Sequence, residues 1–188
     1  MNRAAFYFSL RKQGLAGTLN QSQVSGMETI LDAIDGAEMT AQAYMLATVW
    51  HECDRTMQPI MEHGQISYFD KYEPGNKIGK MLGNTERGDG YRFRGAGYVQ
   101  LTGRRNFAKA GAALGLDLLA HPELALVPAN AAKIMLHGMA EGWFTGKKLS
   151  DYLPGDYFHA RRIINGMDRA ATIATYAEDF ERALRKAA

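Results

Sequence analysis

"MTAQAYMLATVWHECDRTMQPIMEHG", residues 39–64, holds the boundary on which the fold turns. Its first half carries apolar residues at helical spacing, with Ala43, Leu46, Ala47, Trp50 and Cys53 on one stripe and Thr40 as the expected N-cap. From Arg55 the period disappears, and Glu52 and Glu62 stand on either side of the break. The two read either as an acid and a base working on one bond or as two ordinary surface carboxylates.

Outward from this boundary the chain is mostly helical. Toward the N-terminus, residues 2–13 form a short predicted helix stopped by Gly14. Next, "NQSQVSGMETILDAIDG" places Val24, Met27, Ile30, Leu31 and Ile34 at helical spacing before Gly36. Toward the C-terminus, helices are expected in "GRRNFAKAGAALG", in "NAAKIMLHGMAEGWF" after Pro128, in "YFHARRIING" and in "RAATIATYAEDFERALRKAA". Between them, residues 55–102 have no period, and glycines recur at 64, 75, 79, 83, 88, 90, 95 and 97. Only "QISYFDKY" suggests a strand or hairpin arm there. A long irregular stretch inside a compact chain is functional or disordered. The aromatic residues Tyr68, Phe69, Tyr72, Tyr91, Phe93 and Tyr98 argue for function. The expected fold is mainly α with a small β element, as one catalytic domain over residues 1–188 with a loop-rich lobe inserted at about 55–100.

Composition narrows the classes. The 188 residues are 46% hydrophobic and 22% charged, which suits a globular chain with a real core and not a disordered one. No apolar run is long enough to span a bilayer. The start, "MNRAAFYFSLRKQG", lacks a long apolar core and a small-residue cleavage site, so synthesis and retention in the cytoplasm are expected. The single cysteine, Cys53, excludes an internal disulfide framework and reads as a structural thiol; no local motif makes it a nucleophile. A net charge of +2 is too weak to argue for nucleic acid.

Glu52 closes an apolar helix beside Trp50, where the helix dipole and desolvation both favour a protonated carboxyl, as a general acid requires. Glu62 follows Pro59 in a non-helical stretch and by itself reads as a surface residue. His51, Cys53 and His63 lack the second histidine four positions on that a zinc-protease helix needs, and residues 51 and 53 leave a helix on different sides, so no metal is expected. "GAGYVQ" lacks the third glycine and the strand–helix setting of a dinucleotide site. Arg161, Arg162, Arg182, Arg185 and Lys186 read as a solvated basic face, with an anionic envelope polymer as the alternative partner.

The most specific stretch is "FRGAGYVQLTGRRNF", residues 93–107. It resembles the signature of glycoside hydrolase family 19, the chitinase family that also includes many bacteriophage endolysins: Tyr-Tyr-Gly-Arg-Gly-Pro-Ile-Gln-Leu-Thr/Ser with an Asn four positions later. "HE" at 51–52 resembles the family's acid site and "IING" at 163–166 its later Asn-Gly element. "LGN…GDG" at 82–90 and "QLTGRRNF" are more similar to the endolysin branch.

The resemblance implies a lysozyme-like α+β fold with a substrate cleft between the helical part and the lobe. It implies Glu52 as general acid, Glu62 as the base that activates water, and Thr102 as the hydroxyl that holds that water. Glu73 is the fallback for the second carboxylate, because the gap from Glu52 to Glu62 is one residue longer than in bacterial members. Gln100, Asn106 and Asn165 match cleft and substrate-binding positions, and Tyr98, standing where chitinases have Pro, is expected to reshape the sugar site. The signature arginine is Ala96 here, with Arg94 as a possible substitute. No cofactor is implied. The implied activity is inverting hydrolysis of the β-1,4 bond between N-acetylmuramic acid and N-acetylglucosamine in peptidoglycan. The implied partner is the glycan strand, reached in the periplasm after a holin releases a monomeric enzyme from the host cytoplasm, with no stable membrane insertion. The absence of a wall-binding module suits thin peptidoglycan. A chitinase, a lytic transglycosylase needing one Glu, and a non-catalytic glycan-binding protein are the competing readings.

Overall fold

A computed structural model describes residues 1–188. The chain divides into two compact units, one made of Met1–Met57 with Met139–Ala188 and the other of Gln58–Gly138. The inserted portion thus begins close to where the helical period is lost but continues past residue 100 to Gly138. In chain order the helices are α1 (Arg3–Lys12), α2 (Gln21–Ala33), α3 (Met39–Glu52), α4 (Lys77–Leu82), α5 (Asp89–Arg92), α6 (Arg104–Leu114), α7 (Pro128–Glu141), α8 (Tyr157–Ala160) and α9 (Ala170–Ala187). The strands are β1 (Ile60–Met61) and β2 (Ala96–Gly97). The architecture is mainly α with a small sheet, as the sequence predicts. No helix is long and apolar enough to cross a membrane.

In the first unit α3 is the buried axis. The sequence predicts one apolar stripe, but every residue from Ala43 to Trp50 is buried, including Tyr44, Met45 and Val49 between the stripe positions. A helix buried all round is one covered on several sides. Its principal partner is α9, which also covers α1. Phe180 of α9 sits between the Trp50 ring (6.3 Å) and the Phe6 ring of α1 (6.4 Å). Cys53, just beyond the helix end, is fully buried. The N-termini of α1 and α2 are capped by asparagines: Asn2 accepts from the Ala5 N–H, and Asn20 forms a reciprocal capping box with Gln23. Thr40 is not the cap of α3. The cap lies two residues earlier, at Glu38, without a side-chain hydrogen bond, and burial of most of the helix stabilises it instead.

In the second unit β1 and β2 pair antiparallel, Ile60 with Gly97 and Met61 with Ala96, and Ala96 also bridges to Leu101. Gly97 has φ +87°, and a Cβ there would lie 3.0 Å from the Ala125 carbonyl oxygen, so both conformation and space demand glycine. "QISYFDKY" is not a strand. Ile66–Tyr72 is a 3₁₀ helix that buries Phe69 and leaves Ile66 and Tyr68 exposed. The three-residue spacing of Phe69 and Tyr72 matches its period.

Side chains bonded to backbone hold the irregular segment together. Asn84 donates to the Tyr72 carbonyl and accepts from the Arg104 N–H, both at 2.7 Å. Glu73 accepts from the N–H groups of Gly88 (2.8 Å) and Gly90 (3.0 Å). Asp89, 2% exposed, accepts from the Thr85 and Glu86 N–H groups and from two nitrogens of Arg104 at 2.7 Å. Burial alone would push the Asp89 carboxyl up, but Arg104 and the two backbone donors outweigh it and hold the group below its usual range. A depressed folded-state value contributes stability above the unfolded pKa of about 4 and loses it as pH falls through the folded value. Asp89→Asn is expected to lower stability at neutral pH by about 3 kcal/mol, because the Arg104 charge loses its main partner. Thermal melts between about pH 2 and pH 7 should show the gap between variant and wild type closing in acid; equal melting temperatures at pH 7 would deny Asp89 this role.

Candidate functional site

Glu52 is the last residue of α3, and its side chain is 18% exposed. The sequence led to the helix dipole and apolar neighbours as the influences on this carboxyl; the structure adds a cation. Arg161 Nη1 donates to Glu52 Oε1, and Arg161 Nε donates to the Asp168 carbonyl at 3.0 Å. Arg161 is 3% exposed, so it does not belong to a solvated basic face. The 3₁₀ turn Arg161–Ile163 carries it inward while the next residue, Arg162, stays exposed. Farther on, Arg182 pairs with Asp179 and Arg185 with Glu181 on α9, so much of the expected basic face is offset by acidic neighbours one turn away. His51 is half-buried, and burial holds its imidazole below the usual range.

Glu62 follows β1, and its side chain is 22% exposed. Its Oε2 accepts from the Gly95 N–H at 3.1 Å and its Oε1 from the Tyr72 hydroxyl at 3.2 Å, while Lys71 Nζ lies 3.9 Å away. Tyr72 stays protonated, because burial first and the Glu62 charge second raise its pKa. The Glu62 N–H also donates to the Gly95 carbonyl at 2.7 Å, so backbone and side chain of one residue grip the same glycine. A Cβ on Gly95 would meet Gln100 Oε1 at 2.6 Å and Glu62 Oε2 at 3.2 Å.

Gln100, Thr102 and Asn106 belong to the same unit as Glu62, and all three are half-buried. Gln100 has φ +54° and donates through Nε2 to the carbonyls of Ile60 and Gly97, both at 3.2 Å. Thr102 Oγ1 donates to the Gln100 carbonyl at 2.8 Å, and Asn106 Nδ2 donates to the Thr102 carbonyl at 2.8 Å. Tyr98 is placed differently from the expectation: its ring is fully buried and serves the core rather than a sugar face. Asn165, in the first unit, is exposed, and its Oδ1 accepts from the Gly166 N–H. Glu73, the fallback candidate, is a strut, with both oxygens bonded to glycine N–H groups. Ala96, in place of the signature arginine, is buried in β2. Arg94 does not replace that arginine; its guanidinium donates to the Tyr91 carbonyl and lies over the Tyr91 ring at 3.9 Å. The cation beside Glu62 is Lys71. No group of three or more His, Cys, Asp or Glu side chains is arranged to hold a metal ion.

Sequence reasoning missed Arg161, Lys71 and Tyr72. Arg161 lies 109 positions from Glu52, and local pattern carries no sign of the pairing. Tyr72 and Lys71 were legible only if "QISYFDKY" had been read at a period of three.

The sequence matches no protein-family model and no curated protein. Solved structures do match. Chitinase C from Streptomyces griseus superposes with a TM-score of 0.62 at 20% identity, over 98% of this chain and 75% of that one. A bacterial family 19 chitinase gives a TM-score of 0.53 at 20% identity, over 98% of this chain and 93% of that one. At this identity the likeness is one of fold, and the fold is the lysozyme-like α+β arrangement of these chitinases.

Proposed function

We propose that the chain is a glycoside hydrolase that cleaves the β-1,4 bond between N-acetylmuramic acid and N-acetylglucosamine in peptidoglycan, with inversion at the anomeric carbon. The observation that carries this reading is the bond from the Gly95 N–H to Glu62 Oε2: the most specific sequence stretch of the chain closes directly onto the candidate base. The fold shared with family 19 chitinases supports the reaction class.

In this mechanism Glu62 works as a carboxylate, bonded to the Gly95 N–H and the Tyr72 hydroxyl with Lys71 Nζ 3.9 Å away. The Thr102 hydroxyl already donates to the Gln100 carbonyl, so toward a water it acts as an acceptor. That water donates one hydrogen to Thr102 and the other to Glu62, leaving a lone pair for the anomeric carbon. Its oxygen bonds to that carbon, Glu62 takes the proton, the glycosidic C–O bond breaks, and Glu52, having taken up a proton from solvent, gives it to the departing oxygen. Arg161 fixes Glu52 Oε1, which leaves Oε2 for the proton transfer. Inversion requires the two carboxyls roughly 6.5–9.5 Å apart, with room for the water. On this reading the enzyme accumulates in the host cytoplasm and meets the wall in the periplasm after holin-dependent release.

Mass spectrometry of products from purified peptidoglycan tests the proposal. Hydrolysis leaves reducing muramic acid ends; a 1,6-anhydro ring, with activity kept in Glu62→Gln, would replace the mechanism by transglycosylation. A chitinase is the second reading, favoured by the solved neighbours, and release of soluble oligomers from chitin but not peptidoglycan would establish it. Gly95→Ala is expected to lower kcat about tenfold, equivalent to about 1.4 kcal/mol, by displacing the Glu62 and Gln100 side chains. Steady-state rates on permeabilised cells check it, and an unchanged kcat would separate Gly95 from the base.

A further inference from the structure

At the C-terminal end of α3, within the first unit, lies a groove of about 290 Å³ whose walls include Trp50, His51, Asp54, Arg55, Arg169 and Tyr176. Two arginines face one carboxylate there, so the groove is net positive. Both have left-handed backbones, φ +62° at Arg55 and +59° at Arg169, a conformation uncommon outside glycine and concentrated at ligand clamps and active sites. The Arg55 backbone is pinned on both sides: its N–H donates to the Trp50 carbonyl at 2.8 Å, and its carbonyl accepts from Gln23 Nε2 at 2.8 Å. The Arg55 guanidinium donates to the neutral Tyr176 hydroxyl at 3.3 Å, which leaves its charge available.

We infer that this groove binds a carboxylate carried by the substrate strand, gripped by Arg55 and Arg169, and so selects an acidic glycan over a neutral one; the inference rests on the peptidoglycan reading above. A planar guanidinium matches a carboxylate through two parallel hydrogen bonds. Chitin oligomers carry no acidic group, whereas peptidoglycan carries carboxyls on its peptide stems and, where the peptide is removed, on the lactyl group of muramic acid. Position supports the assignment. His51 is the chain neighbour of Glu52, with its Cα about 3.8 Å away. Arg161, which holds Glu52, also bonds the Asp168 carbonyl, one residue before Arg169. A stem of three residues reaches about 10 Å from its sugar.

The test compares the parent chain with Arg55→Gln/Arg169→Gln and, as a milder variant, Arg169→Gln; both arginines are exposed, so the fold should survive. In a Glu52→Gln background, calorimetry titrates a disaccharide-tetrapeptide, the same disaccharide with the peptide removed, and chitotetraose. The inference expects the disaccharide-tetrapeptide to bind at least about tenfold tighter than chitotetraose, with the excess lost in the double arginine variant and weakened by salt. If the peptide-free disaccharide keeps the advantage, the lactyl carboxyl is the source; if it loses it, the stem is. Unchanged ratios in the double variant overturn the inference. With Glu52 intact, the double variant should raise KM on peptidoglycan about tenfold with kcat within about twofold. If the wild type releases nothing from peptidoglycan, the proposed activity falls by itself. Calorimetry still decides the groove: acidic-ligand binding lost with the two arginines retains it, and binding unaffected by them ends it.

Discussion

Glu52→Gln is expected to cut turnover on peptidoglycan roughly 1,000-fold, within the range that a positioned proton donor contributes. The amide has no acidic proton to give the leaving oxygen, yet its carbonyl still accepts from Arg161 Nη1, so the fold should change little. Rate and structure separate cleanly here. The check is kcat measured beside circular dichroism and the melting temperature. A variant that keeps more than about a tenth of the wild-type rate would take Glu52 out of the chemistry and leave it a helix-end residue.

The second large effect belongs to Arg161. Arg161→Met strands a partly buried carboxylate and removes the donor to the Asp168 carbonyl. Breaking a buried pair from one side costs about 3–5 kcal/mol. For a chain of this size that amounts to a fall in melting temperature of roughly 10 °C. Turnover should fall as well, since Glu52 Oε1 loses its anchor. The double variant Glu52→Gln/Arg161→Met should melt above Arg161→Met alone, because the stranded charge is gone, and the cycle measures the coupling. Melting of Arg161→Met within about 2 °C of wild type would show that the pair contributes little.

The parts of the fold legible in the sequence are those with a repeat. The helices α2 and α3 announce themselves by apolar spacing. The short helices α4 and α5 and the 3₁₀ turn at Ile66–Tyr72 do not, because Glu73, Asn84 and Asp89 hold that region by reaching to backbone groups up to 20 positions away. The second compact unit extends beyond the irregular stretch. The helices α6 and most of α7 look like a return of the helical part, but residues as far as Gly138 pack with the insertion. At the candidate site, the resemblance to the family 19 signature, and not spacing alone, brought Glu62, Gln100, Thr102 and Asn106 into view together. It could not tell that Tyr98, two residues from Gln100, is fully enclosed. Nor could it tell that an arginine read as surface charge would be almost wholly enclosed against Glu52.

Cys53 adds a consequence for watching the molecule open. Burial, and secondarily the Glu52 charge, push its thiol up to about 12, so at pH 7 only about one molecule in 100,000 carries a reactive thiolate. A thiol-reactive dye therefore labels the chain only when the C-terminal end of α3 comes undone. The chain's single sulfhydryl thus serves as a clock, one residue from Glu52, for how often that end breathes.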